Sequence, residues 1–207
     1  MGIDIKDYTN HSGGAEGADM TWDSIGRRYG FDNHVHWRPE HLSNMTPEGR
    51  AQMIRDFNQA AQYLGRPSIF RHMEFAQRNW FQVHHSDAVF AIARIITPGD
   101  YDGTPTVHYK NETNHDNVSG GTGWACAMAI LAGKPVYVFN MTDSQWHIWE
   151  PINGCFILYG GTPTLTESYA GIGSRSINKM GILAIEQVYK KTKEQCSTLE
   201  IPKLVIH

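Results

Sequence analysis

No stretch of the sequence approaches the roughly 20 consecutive apolar residues of a membrane span, and the opening MGIDIKDYTNHSGG has no basic segment leading into an apolar run. A protein without a membrane anchor is expected. Met1-Gly2 resembles the start of a myristoylation signal, but Lys6 stands where that signal needs Ser or Thr. Cysteine is scarce: Cys126, Cys155 and Cys196 are odd in number, far apart and in no CxxC or Cys/His spacing. That argues against a disulfide framework and a structural zinc site, and a reducing cytoplasm is the expected compartment. Eleven histidines are present, yet none forms HExxH and most scatter through loop segments, so no metal site is expected. Neither sign of charge is in excess: 18 Lys and Arg against 21 Asp and Glu give a net charge of −3. Without a basic field, indiscriminate nucleic-acid binding has no electrostatic support. The sequence also lacks both GxxxxGK[ST] and a strict GxGxxG, which removes P-loop ATP hydrolysis and ordinary NAD-dependent dehydrogenation. No cofactor is expected.

What is present is a repeated unit. With 207 residues, 41% of them apolar, one sizeable core and a single domain are expected. Residues 3–9 alternate loosely and stop at His-Ser-Gly-Gly, which reads as a strand entering a tight turn. A helix follows from Ala18, with Met20, Trp22, Ile25 and Tyr29 on one face and Gly30 as its end. Residues 34–37 suit a short strand before a polar turn near Pro39. Thr46 and Pro47 begin a helix to about Leu64, which Gly65-Arg66-Pro67 breaks. Ser68 then caps a helix to about His84 whose aromatic residues, Trp80 and Phe81 among them, belong to the core. Residues 87–96 read as a buried parallel strand, and residues 97–117, without periodicity, as a loop or hairpin over the site. A second unit comprises SGGTG at 119–123, a helix over 124–132 and a strand over 135–140. Residues 144–150 and 155–159 form a hairpin about 151–154. The third unit is a strand over 167–170, the turn Gly171 to Arg175, and a helix with Ile182, Leu183, Ile185, Val188 and Tyr189 as its apolar stripe. Residues 190–194 are its charged end, and residues 204–206 a terminal strand. The fold class is α/β: a Rossmann-like, mostly parallel sheet flanked by helices, with a small β-hairpin excursion.

A glycine-rich turn between strand and helix lets the backbone approach a ligand, while the helix N-terminus presents unpaired N–H groups and partial positive charge. Phosphate is the natural guest. In parallel sheets such turns lie at the carboxyl ends of the strands, so the three can share one cleft. The candidate ligand-binding residues are Ser12, Gly13, Gly14, Glu16 and Asp19 in the first loop, and Ser119, Gly120, Gly121, Thr122 and Gly123 in the second. Gly171, Gly173, Ser174 and Arg175 come from the third, and Arg78 and Asn79 from the aromatic-rich helix.

Three segments together carry a resemblance. YAGIGSRS (169–176), SGGAEGAD (12–19) and SGGTGWACAMAILAGKPVYVF (119–139), with RNWFQVHHSDAVFAIA (78–93) between, resemble the SLOG superfamily of Rossmann-like proteins. That superfamily includes DprA-like proteins and the cytokinin-activating LOG phosphoribohydrolases. These segments cover roughly half the chain, and their style is similar to phage members. In the superfamily the Gly-Ser-Arg unit comes first; here it lies near the C-terminus, so the chain resembles a circularly permuted member. LOG-type enzymes follow their glycine loop with a catalytic Glu. In this sequence Cys126 or Ala127 takes that place, so no catalytic residue is assigned and binding is favoured over hydrolysis.

The resemblance implies a protein that senses or sequesters a phosphate-containing, nucleotide-derived small molecule. An ADP-ribose-derived immune signal, held by a phage anti-defence sponge in the host cytoplasm, is one form of it. A LOG-type N-glycosidic hydrolase with Glu16, Asp19 or Asp87 as general base is the first alternative. DprA-like binding of single-stranded DNA is the second, and the charge balance disfavours it. A homodimer or higher homo-oligomer is expected, with the helical face at residues 69–83 as its candidate interface.

Overall fold

Strand Ala88–Ala93 is buried at every position because its alternate residues feed two cores. Val89, Ala91 and Ala93 face one, and Ala88, Phe90 and Ile92 the other. A strand covered on both sides needs apolar side chains throughout. The computed structural model describes residues 4–37, 41, 44–67, 73–103 and 109–199. In chain order the strands are β1 (Thr9–Ser12), β2 (Asn33–His36), β3 (Ala88–Ala93), β4 (Ile95–Ile96), β5 (Asn117–Val118), β6 (Val136–Asn140), β7 (Gln145–Glu150), β8 (Cys155–Leu158) and β9 (Ser168–Gly173). The α-helices are α1 (Ala18–Tyr29), α2 (Pro47–Leu64), α3 (Met73–His85), α4 (Thr122–Leu131) and α5 (Lys179–Leu199).

Seven strands form one sheet in the order β2-β1-β9-β3-β6-β7-β8. The first five are parallel, and the β7–β8 hairpin adds antiparallel strands beyond β6. Counted cyclically from β9, the parallel strands read third, second, first, fourth, fifth, which is the order of a doubly wound sheet with its starting point moved. The order reverses between β9 and β3. Ligand crevices in such sheets lie beyond the carboxyl ends of the strands at that reversal, here Gly173 and Ala93.

Helices cover both faces. On one, Met53 and Phe57 of α2, Trp80 and Phe81 of α3, and Trp124 and Met128 of α4 pack on the sheet. On the other, Trp22 and Ile25 of α1 meet Ile185 and Tyr189 of α5. The Tyr189 hydroxyl donates to the Trp22 carbonyl at 2.9 Å, so the polar end of this buried ring is satisfied. The α2 boundaries follow from capping: the Thr46 hydroxyl accepts from the Gly49 N–H at 3.1 Å, and Gly65 closes the helix in the left-handed region.

Several sequence expectations shift. Residues 5–7 form a 3-10 turn instead of a strand, because the Asp4 and Asp7 side chains take backbone N–H groups that a ladder would need. Strand pairing starts at Thr9, and Ile3 lies outside the described residues. The expected strand over 87–96 ends at Ala93; Ile95–Ile96 turns away to pair antiparallel with Asn117–Val118. That pair is the base of the excursion, which a bridge between Tyr101 and Lys110 closes further out. Helix α5 runs on to Leu199, past the expected charged end. Its buried stripe is Ala184, Ile185, Val188, Tyr189 and Cys196, while Ile182 and Leu183 are exposed: a period of 3.6 turns Leu183 away once Ile185 faces the core, and Ile182 lies at the edge of the stripe. Trp80, Phe81 and Val83 are buried, so that side of α3 is spent on the core and is not a free dimer face. The expected features at Pro39, Ser68 and residues 204–206 lie outside the described residues. No helix among the described residues is long and apolar enough to cross a membrane.

Candidate functional site

The first and third glycine loops, from opposite ends of the chain, touch backbone to backbone. Gly17 precedes α1 with φ of 95°, and a methyl group there would stand 2.5 Å from the Cα and carbonyl oxygen of Arg175. The Ala18 N–H donates to the Ser174 carbonyl at 3.0 Å, and the Ser174 N–H to the Ile92 carbonyl at 2.8 Å. Gly173 is equally confined, since a methyl would meet the Ile92 backbone and the Ala18 side chain. Helix α3 braces the arrangement from the side: Arg78 donates to the Gly13 carbonyl and Asn79 to the Gly121 carbonyl, each at 3.1 Å. Between these groups lies a cleft of about 40 Å³ lined by Gly13, Ala15, Asp19, Arg78, Asn79, Gln82, Thr122, Ile172, Gly173 and Arg175. It sits at the reversal between β9 and β3.

Accounting for the loop N–H groups changes the expected chemistry. The first loop wraps around the carboxyl group of Asp19, which the N–H groups of Ala15, Gly13 and Gly173 stabilise. The Gly14 N–H goes to the Ser12 hydroxyl at 3.1 Å, so Ser12 holds the turn. In the second loop the Gly120 N–H donates to both oxygens of Asp102, at 3.1 and 3.3 Å. Asp102 comes from the excursion and is ion-paired with buried Arg66 at 3.4 Å. Two of the three loops therefore already hold a protein carboxylate. What faces outward is the start of α4, where Gly121 carries no side-chain cap, together with the exposed Arg175. Apart from the Trp124 N–H, which donates to the Gly121 carbonyl at 3.2 Å, the first-turn N–H groups of a helix have no intrahelical acceptor, so this terminus keeps an affinity for an anion.

The remaining candidates divide by place. Glu16 is exposed on the first loop, and Ser119 accepts from the Arg94 N–H at 3.3 Å, holding the second. Gly123 is buried where a methyl would overlap the Val118 carbonyl. Gly171 is strand, not loop: a methyl there would lie 2.7 Å from the Trp22 ring, so this glycine admits the indole. Asp87 is exposed just ahead of β3, at the opposite end of the strand from the cleft. The helix position where a LOG-type glutamate was sought holds Cys126 and Ala127, both in the core, and burial pushes the Cys126 thiol up to about 12.

Burial pushes the Asp19 carboxyl up to about 6, with nearby Asp23 adding to the shift and the loop N–H groups opposing it. A carboxyl titrating close to neutrality in a cleft can exchange protons. Behind it, Asp23 accepts from Asn10 at 2.9 Å and pairs with His34 at 2.8 Å and His36 at 2.5 Å. Burial alone would raise the Asp23 carboxyl; the two histidines hold it below its ordinary value. Among the described residues no group of three or more His, Cys, Asp or Glu side chains is arranged to hold a metal ion.

Sequence reasoning passed over Gln82, Arg66 and Asp102. Gln82 lies one turn after Arg78 and Asn79, so helical spacing would have put all three on one side of α3. Asp102 had no such signal. A larger cavity, about 440 Å³, lies elsewhere, between α2, α3 and α4. Several of its polar groups pair with one another or with backbone: Trp80 and Gln52 donate to Asp56 at 2.7 and 2.6 Å, and Lys134 donates to the Val83 carbonyl at 2.6 Å. The smaller cleft has the convergent donors, and it is the candidate site. Compared with known proteins, the chain matches no family model, no curated protein and no solved structure.

Proposed function

We propose that this chain is a permuted SLOG-like protein whose cleft binds a phosphate-containing, nucleotide-derived small molecule and holds it without cleaving it. The observation that carries the reading is the meeting of three glycine loops at the strand-order reversal, with Arg175 and the uncapped start of α4 facing the same opening. A phosphate bound there would lie between the Arg175 guanidinium and the Thr122 end of α4, with the rest of the ligand along the open rim. Cys126 and Ala127 in the core leave α4 without the carboxylate that LOG-type cleavage needs, which favours holding over hydrolysis. An ADP-ribose derivative, sensed or sequestered as an immune signal, is the ligand that the resemblance favours.

Titration calorimetry with ADP-ribose tests this. Wild-type protein should bind it, and Arg175→Ala should lose about 1.5 to 3 kcal/mol, the usual worth of a charge-assisted hydrogen bond. Equal affinity in the variant would remove Arg175 from the site. A second reading, hydrolysis of an N-glycosidic bond, rests on Asp19, a buried carboxyl in the cleft pushed up to about 6. Product formation that disappears in Asp19→Asn would favour it over binding alone.

The homo-oligomer expectation moves with α3's aromatic side buried. Met20 of α1 and Met180, Ile182 and Leu183 of α5 are the large apolar side chains exposed on these two helices, and we place the subunit contact there.

A further inference from the structure

Gln82 is 1% exposed, yet its amide nitrogen has no hydrogen-bond partner among the described residues. Proteins seldom leave a buried donor unpaired, because the lost hydration is not returned. The side chain lines the cleft, and its Nε2 lies 3.3 Å from the point where a Cβ on Gly13 would be. Asp19 Oδ2 lies 2.9 Å from the same point. With no side chain on Gly13 both groups come close to its backbone, and both line the cleft of about 40 Å³ beside it, which has room for one small polar group between an unpaired amide donor and a carboxylate. The carboxylate offers roughly four acceptor positions, and the backbone N–H groups of Ala15, Gly13 and Gly173 that stabilise it do not exhaust them.

The chemistry of an occupant follows from those two walls. A phosphate oxygen would suit Gln82 and be repelled by Asp19. An ammonium group would suit Asp19 and meet the amide hydrogens of Gln82. A hydroxyl satisfies both, accepting from Nε2 and donating to the carboxylate. We propose that the space beside Gly13 is a sugar-hydroxyl subsite, in which Gln82 and Asp19 grip one hydroxyl of the ligand while its phosphate lies at Arg175 and the start of α4. This rests on the phosphate-binding reading above and narrows its ligand to a sugar phosphate or a molecule containing one. Gln82 is then a specificity-determining residue.

The test uses three probes followed by NMR titration of the full chain: ribose 5-phosphate, tetrahydrofurfuryl phosphate, which keeps the ring and phosphate but has no hydroxyl, and free ribose. A hydrogen bond to a charged group implies that wild type prefers ribose 5-phosphate over the stripped analogue by about 10- to 100-fold. In Gln82→Met that ratio should fall to within about twofold, and in Asp19→Asn it should fall as well. The unfolding midpoint of Gln82→Met should be no lower than that of wild type, since the change deletes an unpaired polar group. Equal binding of the two phosphates by wild type, or a preference that survives Gln82→Met, would overturn the subsite and mean that the space holds only water. Those results leave the phosphate reading standing. Free ribose binding as well as ribose 5-phosphate, with the ratio still dependent on Gln82, would support the subsite and sink the phosphate reading instead. Failure of all three probes to bind overturns both.

Discussion

Gly17→Ala is expected to cost about 4 kcal/mol of folding stability, the sum of two separate penalties. The first is conformational: at φ 95° and ψ −126° the residue sits where only glycine is at ease. The second is steric, because the new methyl would stand 2.5 Å from the Cα and carbonyl oxygen of Arg175, and backbone cannot swing aside as a side-chain tip can. For a chain of this size the melting temperature should fall by about 10 °C. Gly160→Ala is the control, since nothing lies within 4 Å of a methyl there and its φ is not positive. It should change stability by less than about 0.5 kcal/mol. Urea denaturation of the two variants checks the difference. If Gly17→Ala proves as mild as Gly160→Ala, the first and third loops are not in contact and the cleft between them does not exist as described.

Asp102→Ala should be destabilising by about 3 to 5 kcal/mol, as expected when one partner of a buried ion pair is removed. The side chains of Arg66 and Asp102 are 7% and 2% exposed, so neither charge has water to fall back on. Without Asp102, Arg66 keeps the carbonyl contacts to Gly120 and Val118, at 3.3 and 3.5 Å, and the face of the Tyr109 ring at 5.5 Å, none of which carries a neutralising charge, and the Gly120 N–H loses its acceptor. Asp102→Asn retains an acceptor for that N–H but not the charge, and should fall between alanine and wild type. Replacing both members by apolar residues, Arg66→Met with Asp102→Leu, should recover much of the loss, because the cost comes from an orphaned charge and not from a missing attraction. A single-variant loss below about 1 kcal/mol would mean that the excursion does not anchor the second glycine loop.

These two residues mark the limits of the sequence. The position of Gly17 was legible: a glycine just before the apolar spacing of α1, in a Gly-rich turn after a strand, belongs to a phosphate-loop pattern that local chemistry generates. Its contact with Arg175 was not, because only the strand order brings the two chain ends together. That order places β1 beside β9, with Thr9 and Asn10 paired to Ser168 and Tyr169, far apart in the chain. The roles of individual glycines were less legible, since the same letter serves a left-handed turn at Gly14, a close backbone approach at Gly17 and a slot for an indole at Gly171. Asp102 lies in an aperiodic stretch where neither spacing nor turn chemistry points to a partner. The internal carboxylates are the chief correction to a reading in which every loop N–H waits for a ligand phosphate.

That the cleft holds a phosphate-bearing, nucleotide-derived molecule is tested most directly by mass spectrometry of what the protein releases. The chain is purified from cells, exposed to a pool of cellular nucleotides and nucleotide sugars, washed and denatured, and the small molecules set free are identified. An intact phosphate-containing molecule at close to one per chain, much reduced in Arg175→Ala, is the expected result. A protein that carries none from the cell and takes none from the pool, or that returns only cleaved products, would contradict it.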